Sequence, residues 1–133
     1  MKPRGIIAAL IEHPTNKNSF LVFNHAKIKK LTMPVGKIDP GYTPEATLKK
    51  EMKEELNIDV TSYSFLGKRL ISVKNELIDV YVFRVNSYEG EVSNNEPEKH
   101  SELRYLYPSE ISGNSISKNT EVALSFIYEN HSY

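Results

Sequence analysis

Apolar positions along the chain follow two spacings. Gly5 to Ile11 and Ser19 to Asn24 are short runs rich in β-branched and aromatic residues, bounded by turn-forming polar residues, and predict two strands. The polar segment from Glu12 to Asn18 between them predicts a hairpin. His25 to Lys30 is a basic connector into Leu31-Thr-Met-Pro34. Val60 to Ser72 and Glu76 to Asn86 predict two further strands, the second apolar enough to lie centrally in a sheet. A polar loop over Asn94 to Ser101, a short strand over Glu102 to Tyr107 and a helical turn at Ser109-Glu-Ile follow.

The second spacing is helical. Leu48, Met52 and Leu56 form an i, i+4 stripe, preceded by a start signal: Thr43 as N-cap, Pro44 at the first helical position and Glu45 at the positive end of the dipole. Asn57 tolerates the left-handed conformation that ends a helix. Asn119 is placed to cap a last helix from Thr120 to about Tyr128, with Val122, Ala123, Leu124 and Ile127 on its buried side. Strands interleaved with two helices predict an α/β (α+β) fold, an α/β/α sandwich with a mixed β-sheet between helices.

Composition narrows the function. The 133 residues fit a single domain spanning 1–133, and 39% hydrophobic with 26% charged residues is an ordinary globular balance. Lys+Arg 17 against Asp+Glu 17 leaves no basic excess for long nucleic acid. With Cys 0, disulfides and thiolate metal sites are excluded. The apolar run after Met1-Lys-Pro-Arg is too short for a signal peptide and no segment is long enough to span a bilayer, so the expected location is cytoplasmic and no membrane partner is expected.

The candidate chemistry lies on the first helix. Glu51, Glu54 and Glu55 stand at i, i+3 and i+4, which puts three carboxylates on one face. Like charges at that spacing cost a bare helix roughly 0.2–0.5 kcal/mol per pair. A hard divalent cation, taking carboxylate and phosphate oxygens together, would relieve this. Lys49, Lys50 and Lys53 are equally available to balance a solvated acidic face. Without metal, at least one of the three carboxylates should have its pKa raised by its neighbours. His25 and His100 read as surface residues, because an oxygen-donor site has no need of imidazole.

Gly36-Lys-Ile-Asp-Pro-Gly41 and the helix that follows resemble the Nudix box, G-x5-E-x7-R-E-U-x-E-E-x-G-U with U a bulky apolar residue. Gly36, Glu51, Met52, Glu54, Glu55 and Ile58 match it; Lys37, Gly41 and the Met33-Pro34 lead-in match residues common around it. Tyr42 stands where the first Glu belongs, Lys50 where the Arg belongs and Asn57 where the late Gly belongs. The joint loss of that Glu and Arg implies an ion pair lost as a unit, with Tyr42 packing or hydrogen-bonding in its place.

The resemblance implies a Mg²⁺-dependent hydrolase, with Mn²⁺ able to substitute, acting on a nucleotide. Gly36, Glu51, Glu54 and Glu55 would serve the metal, and Glu54 is the first choice of base. The Glu96-Pro-Glu98 segment resembles the family's late acidic loop, so Glu98 or Glu102 joins the site as base or metal ligand; spacing does not choose between them. Lys37, with Lys27, Lys29 and Lys30, is placed to neutralise phosphate charge. Asn119 resembles a purine-reading Asn of MutT-type members, and Tyr42 and Tyr81 are candidates for the pocket lining. The late acidic segment and small size favour a nucleoside triphosphate pyrophosphohydrolase, oxidised guanine nucleotides first. ADP-ribose, dinucleoside polyphosphates or a non-catalytic nucleotide sensor are the alternatives. Family members are frequently dimers, so monomer and homodimer both stay open.

Overall fold

The computed structural model describes residues 3–130. In chain order the elements are β1 (Arg4–Ile11), β2 (Phe20–Asn24), β3 (Leu31–Thr32), β4 (Val35–Lys37), α1 (Pro44–Leu56), β5 (Asp59–Val73), β6 (Glu76–Glu89), β7 (Arg104–Leu106), α2 (Pro108–Ser112) and α3 (Lys118–Asn130).

The strands form two sheets. The four-stranded sheet has the order β4-β1-β6-β5, with β1 parallel to β6 and the other pairs antiparallel, so it is mixed as expected. As expected, too, β6 lies inside this sheet. The three-stranded sheet has the order β3-β2-β7. The hairpin expected between the first two strands does not form. β1 and β2 belong to different sheets, joined at this turn by one bridge between Glu12 and Phe20. The reason lies on both flanks of β1. Its eight residues pair continuously with Ile78 to Val85. On the other edge Ile6 to Ala8 pair with β4 and Ala9 N–H donates to the Pro34 carbonyl, which takes most of the edge that β2 would need. Glu12, at the start of that turn, is buried. It accepts hydrogen bonds of 2.8 Å from the Asn18 backbone N–H and from the Arg84 guanidinium. Burial alone would raise its pKa, but those two donors hold the carboxyl below its ordinary value.

A strand buried on both faces reads as a continuous apolar run, and β1 shows why. Ile7, Ala9 and Ile11 pack with Leu48, Met52 and Leu56 of α1, while Ile6, Ala8 and Leu10 pack with Val122, Ala123 and Ile127 of α3. The two helices therefore cover opposite faces of the four-stranded sheet, as the sequence predicts. Burying Leu48, Met52 and Leu56 contributes about 1.5–3 kcal/mol each.

The cap residues of α1 also match expectation. Thr43 Oγ1 accepts from the Ala46 N–H at 3.0 Å, and Asn57 closes the helix at φ 59° and ψ 37°. The last helix begins earlier than expected, at Lys118. The Ser117 hydroxyl accepts from the Thr120 N–H and its carbonyl from the Glu121 N–H, so Ser117 acts as the cap and Asn119 lies within the first turn. No helix among the described residues is long and apolar enough to cross a membrane.

Candidate active site

β4 runs antiparallel beside β1, with Ile7 opposite Gly36, and this brings the Gly36 backbone against α1. A Cβ on Gly36 would lie 2.3 Å from Glu51 Cγ and 2.6 Å from its Cδ, so the glycine is required by the closeness of strand and carboxylate. Glu51 is mostly buried, with 16% of its side chain exposed. Glu55, one turn on, is 6% exposed, and its Oε2 has no hydrogen-bond partner among the described residues.

A loop some forty residues further along the chain completes this corner. Asn95 N–H donates to the Glu55 carbonyl at 3.0 Å and its side-chain amide to the Glu54 carbonyl at 3.1 Å, tying the loop to the C-terminal turn of α1. The next residues form a tight turn in which Lys99 and His100 N–H both donate to the Glu96 carbonyl. Glu55, Glu96 and His100 each then present a ligand atom within 4.8 Å of the other two. Burial, the adjoining Glu51 carboxylate and the charge on Glu96 together push the Glu55 pKa up to about 9. Near neutral pH a metal-free Glu55 therefore keeps its proton and can share it with Glu51. His100 stacks on Phe23, ring centroids 3.9 Å apart, and burial holds its imidazole below the ordinary value.

These groups open into a cavity of about 820 Å³. Glu51, Glu55, Glu96 and Glu98 supply its acidic wall; Arg4, Lys27, Lys37 and Lys99 its cations; Ile6, Phe23, Met33, Val35 and Ile78 its apolar surface, with Asn119 among them. Anion-binding and apolar surface in one concave space is the make-up of a small-molecule pocket.

Of the residues singled out in the sequence, Gly36, Lys37, Glu51, Glu55, Glu98, Asn119 and Lys27 line this cavity. Glu54 does not: its side chain is 54% exposed and pairs with Lys50 at 3.6 Å. Glu102 is exposed and outside the cavity wall, as are Lys29 and Lys30. Tyr81 and Tyr42 line a separate, smaller groove of about 360 Å³ with Gly5 and Ile38. His25 and His100 are not the surface residues that the sequence implied; both are partly buried and line the main cavity. Glu96 had not been singled out, although its segment had.

At the replaced ion pair Tyr42 packs against Lys50 as expected, and Lys50 also finds acidic partners that the sequence did not announce. Lys50 keeps acidic partners, with Asp39 at 3.7 Å, Glu51 at 3.8 Å and Glu54 at 3.6 Å, and its ammonium lies 5.5 Å from the Tyr42 ring centroid. Desolvation opposes the charge on Lys50, yet Glu54, Glu51 and Asp39 outweigh it and hold the pKa above its ordinary value. The loop and helix remain connected through Asp39 and Tyr42, by different chemistry from the box pattern.

Comparison with known proteins agrees with this geometry. The NUDIX domain family model matches residues 1–126. An 8-oxo-dGTP diphosphatase of Haemophilus influenzae is 32% identical over 63 residues, which covers 47% of this chain and 46% of that protein. The chain thus spans about half the length of the curated relative it matches. The E. coli ORF135 protein superposes with a TM-score of 0.83 at 20% identity, covering 99% of this chain and 93% of that one. A MutT NUDIX hydrolase from Burkholderia pseudomallei superposes with a TM-score of 0.81 at 21% identity, covering 96% and 99%. At such identities the superpositions establish the fold.

Proposed function

The chain belongs to the Nudix family, and from that premise we propose that it is a divalent-metal-dependent hydrolase of nucleoside triphosphates, releasing nucleoside monophosphate and pyrophosphate. One observation carries the reading: the Glu51 and Glu55 carboxylates, Gly36 and several cations share one cavity with an apolar wall and an amide-bearing residue. A nucleotide needs all three kinds of surface. An oxidised guanine nucleotide is the leading substrate, supported by the partial match to an 8-oxo-dGTP diphosphatase and by the position of Asn119.

The donor set fits Mg²⁺. Glu55 Oε2 is a buried oxygen with no hydrogen-bond partner among the described residues, and Glu51 and Glu96 stand beside it. Glu51, Glu55 and Glu96 would hold the ion, with the Gly36 backbone against Glu51. When bound, such an ion supplies charge neutralisation at the phosphates and acidifies water. The remaining work falls to the chain. Lys37, Lys27 and Arg4 bind the phosphate chain, Phe23 and Ile78 offer apolar surface to the base, and Asn119 offers an amide that both donates and accepts. Lys50, through Asp39 and Glu51, holds the loop on the helix. Two carboxylates are the candidates to take the proton from attacking water: Glu98 on the cavity wall, and Glu54, which stands outside that wall paired with Lys50.

The test is pyrophosphate release with Mg²⁺ from normal and oxidised (d)NTPs, with ADP-ribose and dinucleoside polyphosphates alongside. Turnover confined to triphosphates and lost in Glu55→Gln supports the proposal. Glu54→Gln and Glu98→Gln then separate the two base candidates. Turnover on ADP-ribose or dinucleotides alone would overturn the substrate, and binding without product would make the chain a sensor.

A further inference from the structure

We propose that Glu55, Glu96 and the His100 imidazole form a mixed oxygen-and-nitrogen metal site that takes a first-row transition dication in preference to Mg²⁺, with Mn²⁺ as its paramagnetic probe. The inference deepens the metal reading above and rests on it. Three observations carry it. The ligand atoms of the three residues lie within 4.8 Å of one another, close to the roughly 4.2 Å that two ligands span across an ion at bond lengths near 2.1 Å. Glu55 Oε2 is buried in a residue only 6% exposed and has no hydrogen-bond partner among the described residues. His100 is held in place, its ring on Phe23 and its backbone carbonyl accepting from the Asn94 amide at 3.0 Å.

The neighbouring groups leave this position to a cation. Lys99 reaches Glu96 at 3.6 Å, but its side chain is 61% exposed and an exposed pair of this kind is weak. His25, 6.0 Å from His100 between ring centroids, already uses its Nδ1 to accept from the Lys27 and Ile28 N–H groups. A site made of carboxylates alone suits Mg²⁺. An imidazole nitrogen shifts the preference toward transition dications, which accept nitrogen donors where Mg²⁺ favours oxygen and water.

The experiment uses the full chain stripped of metal, titrated with Mn²⁺ and followed by electron paramagnetic resonance. Pulsed measurements on the bound ion report any directly bonded nitrogen. Wild type should show nitrogen coupling. His100→Phe, which keeps a ring on Phe23 and removes both nitrogens, should abolish it. Mn²⁺ affinity should fall by about tenfold or more, since loss of even an outer partner costs that much. Mg²⁺ affinity, read by competition, should move by less than about twofold. Circular dichroism checks that the variant folds, with His100→Asn as a second variant. Bound Mn²⁺ without nitrogen coupling in wild type, or equal losses for both ions in a folded variant, would overturn the proposal. Nitrogen coupling in a protein that hydrolyses no nucleotide would support this site and sink the hydrolase reading. Mg²⁺-driven hydrolysis without nitrogen coupling would do the reverse.

Discussion

Gly36 and Glu55 set the packing and the charge state of the carboxylate corner of the candidate site. An added methyl at Gly36 enters the space of Glu51 Cγ, and the flexible carboxylate yields before the strand does. Gly36→Ala should therefore lower turnover by roughly 10–100-fold, as small misplacements of reacting groups do, with little change in Tm. Steady-state kinetics beside thermal unfolding checks this. Glu55 gives a pH dependence of definite sign. Its pKa is near 9 when folded, against an ordinary value of 4.5, so between those values the folded state holds a proton that the unfolded state releases. Metal-free protein should therefore lose stability as pH rises from about 5 to about 9, and Glu55→Gln should flatten that decline. Unfolding in chelator across this range is the measurement. Spacing put Glu51 and Glu55 on one helix face but left a solvated, lysine-balanced face equally open; the resemblance to the Nudix box made them site candidates. Glu96 and His100 were missed because their place depends on Asn95 binding the Glu54 and Glu55 carbonyls, a contact that no local pattern encodes.

At the level of elements, α1 was legible almost residue by residue, because cap, stripe and stop are local features. Thr43→Ala should cost about 1 kcal/mol by removing the hydroxyl that accepts from Ala46. Asn57→Gly should cost nothing or stabilise slightly, since the position is left-handed. Denaturant midpoints distinguish the two. β1, β2, β5, β6 and β7 were legible one by one, but the short β3 and β4 were read as lead-in and loop, and the strands' partners were not legible. A run such as Gly5 to Ile11 announces burial on both faces without naming the neighbour, and the nearest strand in sequence was a poor guess. The start of α3 slipped because Asn119 and Ser117 are both plausible caps. The structure uses Ser117, whose buried hydroxyl also meets Thr32 and Thr120, and this leaves Asn119 in the cavity wall.

Across the whole molecule, two helices on opposite faces of one sheet place the carboxylates and the apolar surface at a common opening. Glu12 and Arg84 fasten the turn after β1 to β6 at 2.8 Å. The folded Glu12 pKa lies below its ordinary value, so this contribution is complete above about pH 4.5 and is lost as pH falls through the folded value. Glu12→Gln should lower stability at pH 7 and narrow the gap from wild type on acidification, as read by urea unfolding. The parallel register of β1 with Ile78 to Val85 also has a consequence in time. In a growing chain the main partner of β1 follows it by more than seventy residues, roughly 4–15 s at elongation rates of about 5–20 residues per second. Through that interval β1 has only the short β4 beside it. The nascent first half is a sticky apolar strand waiting for its mate, and chains halted before Glu76 should be captured by chaperones rather than fold.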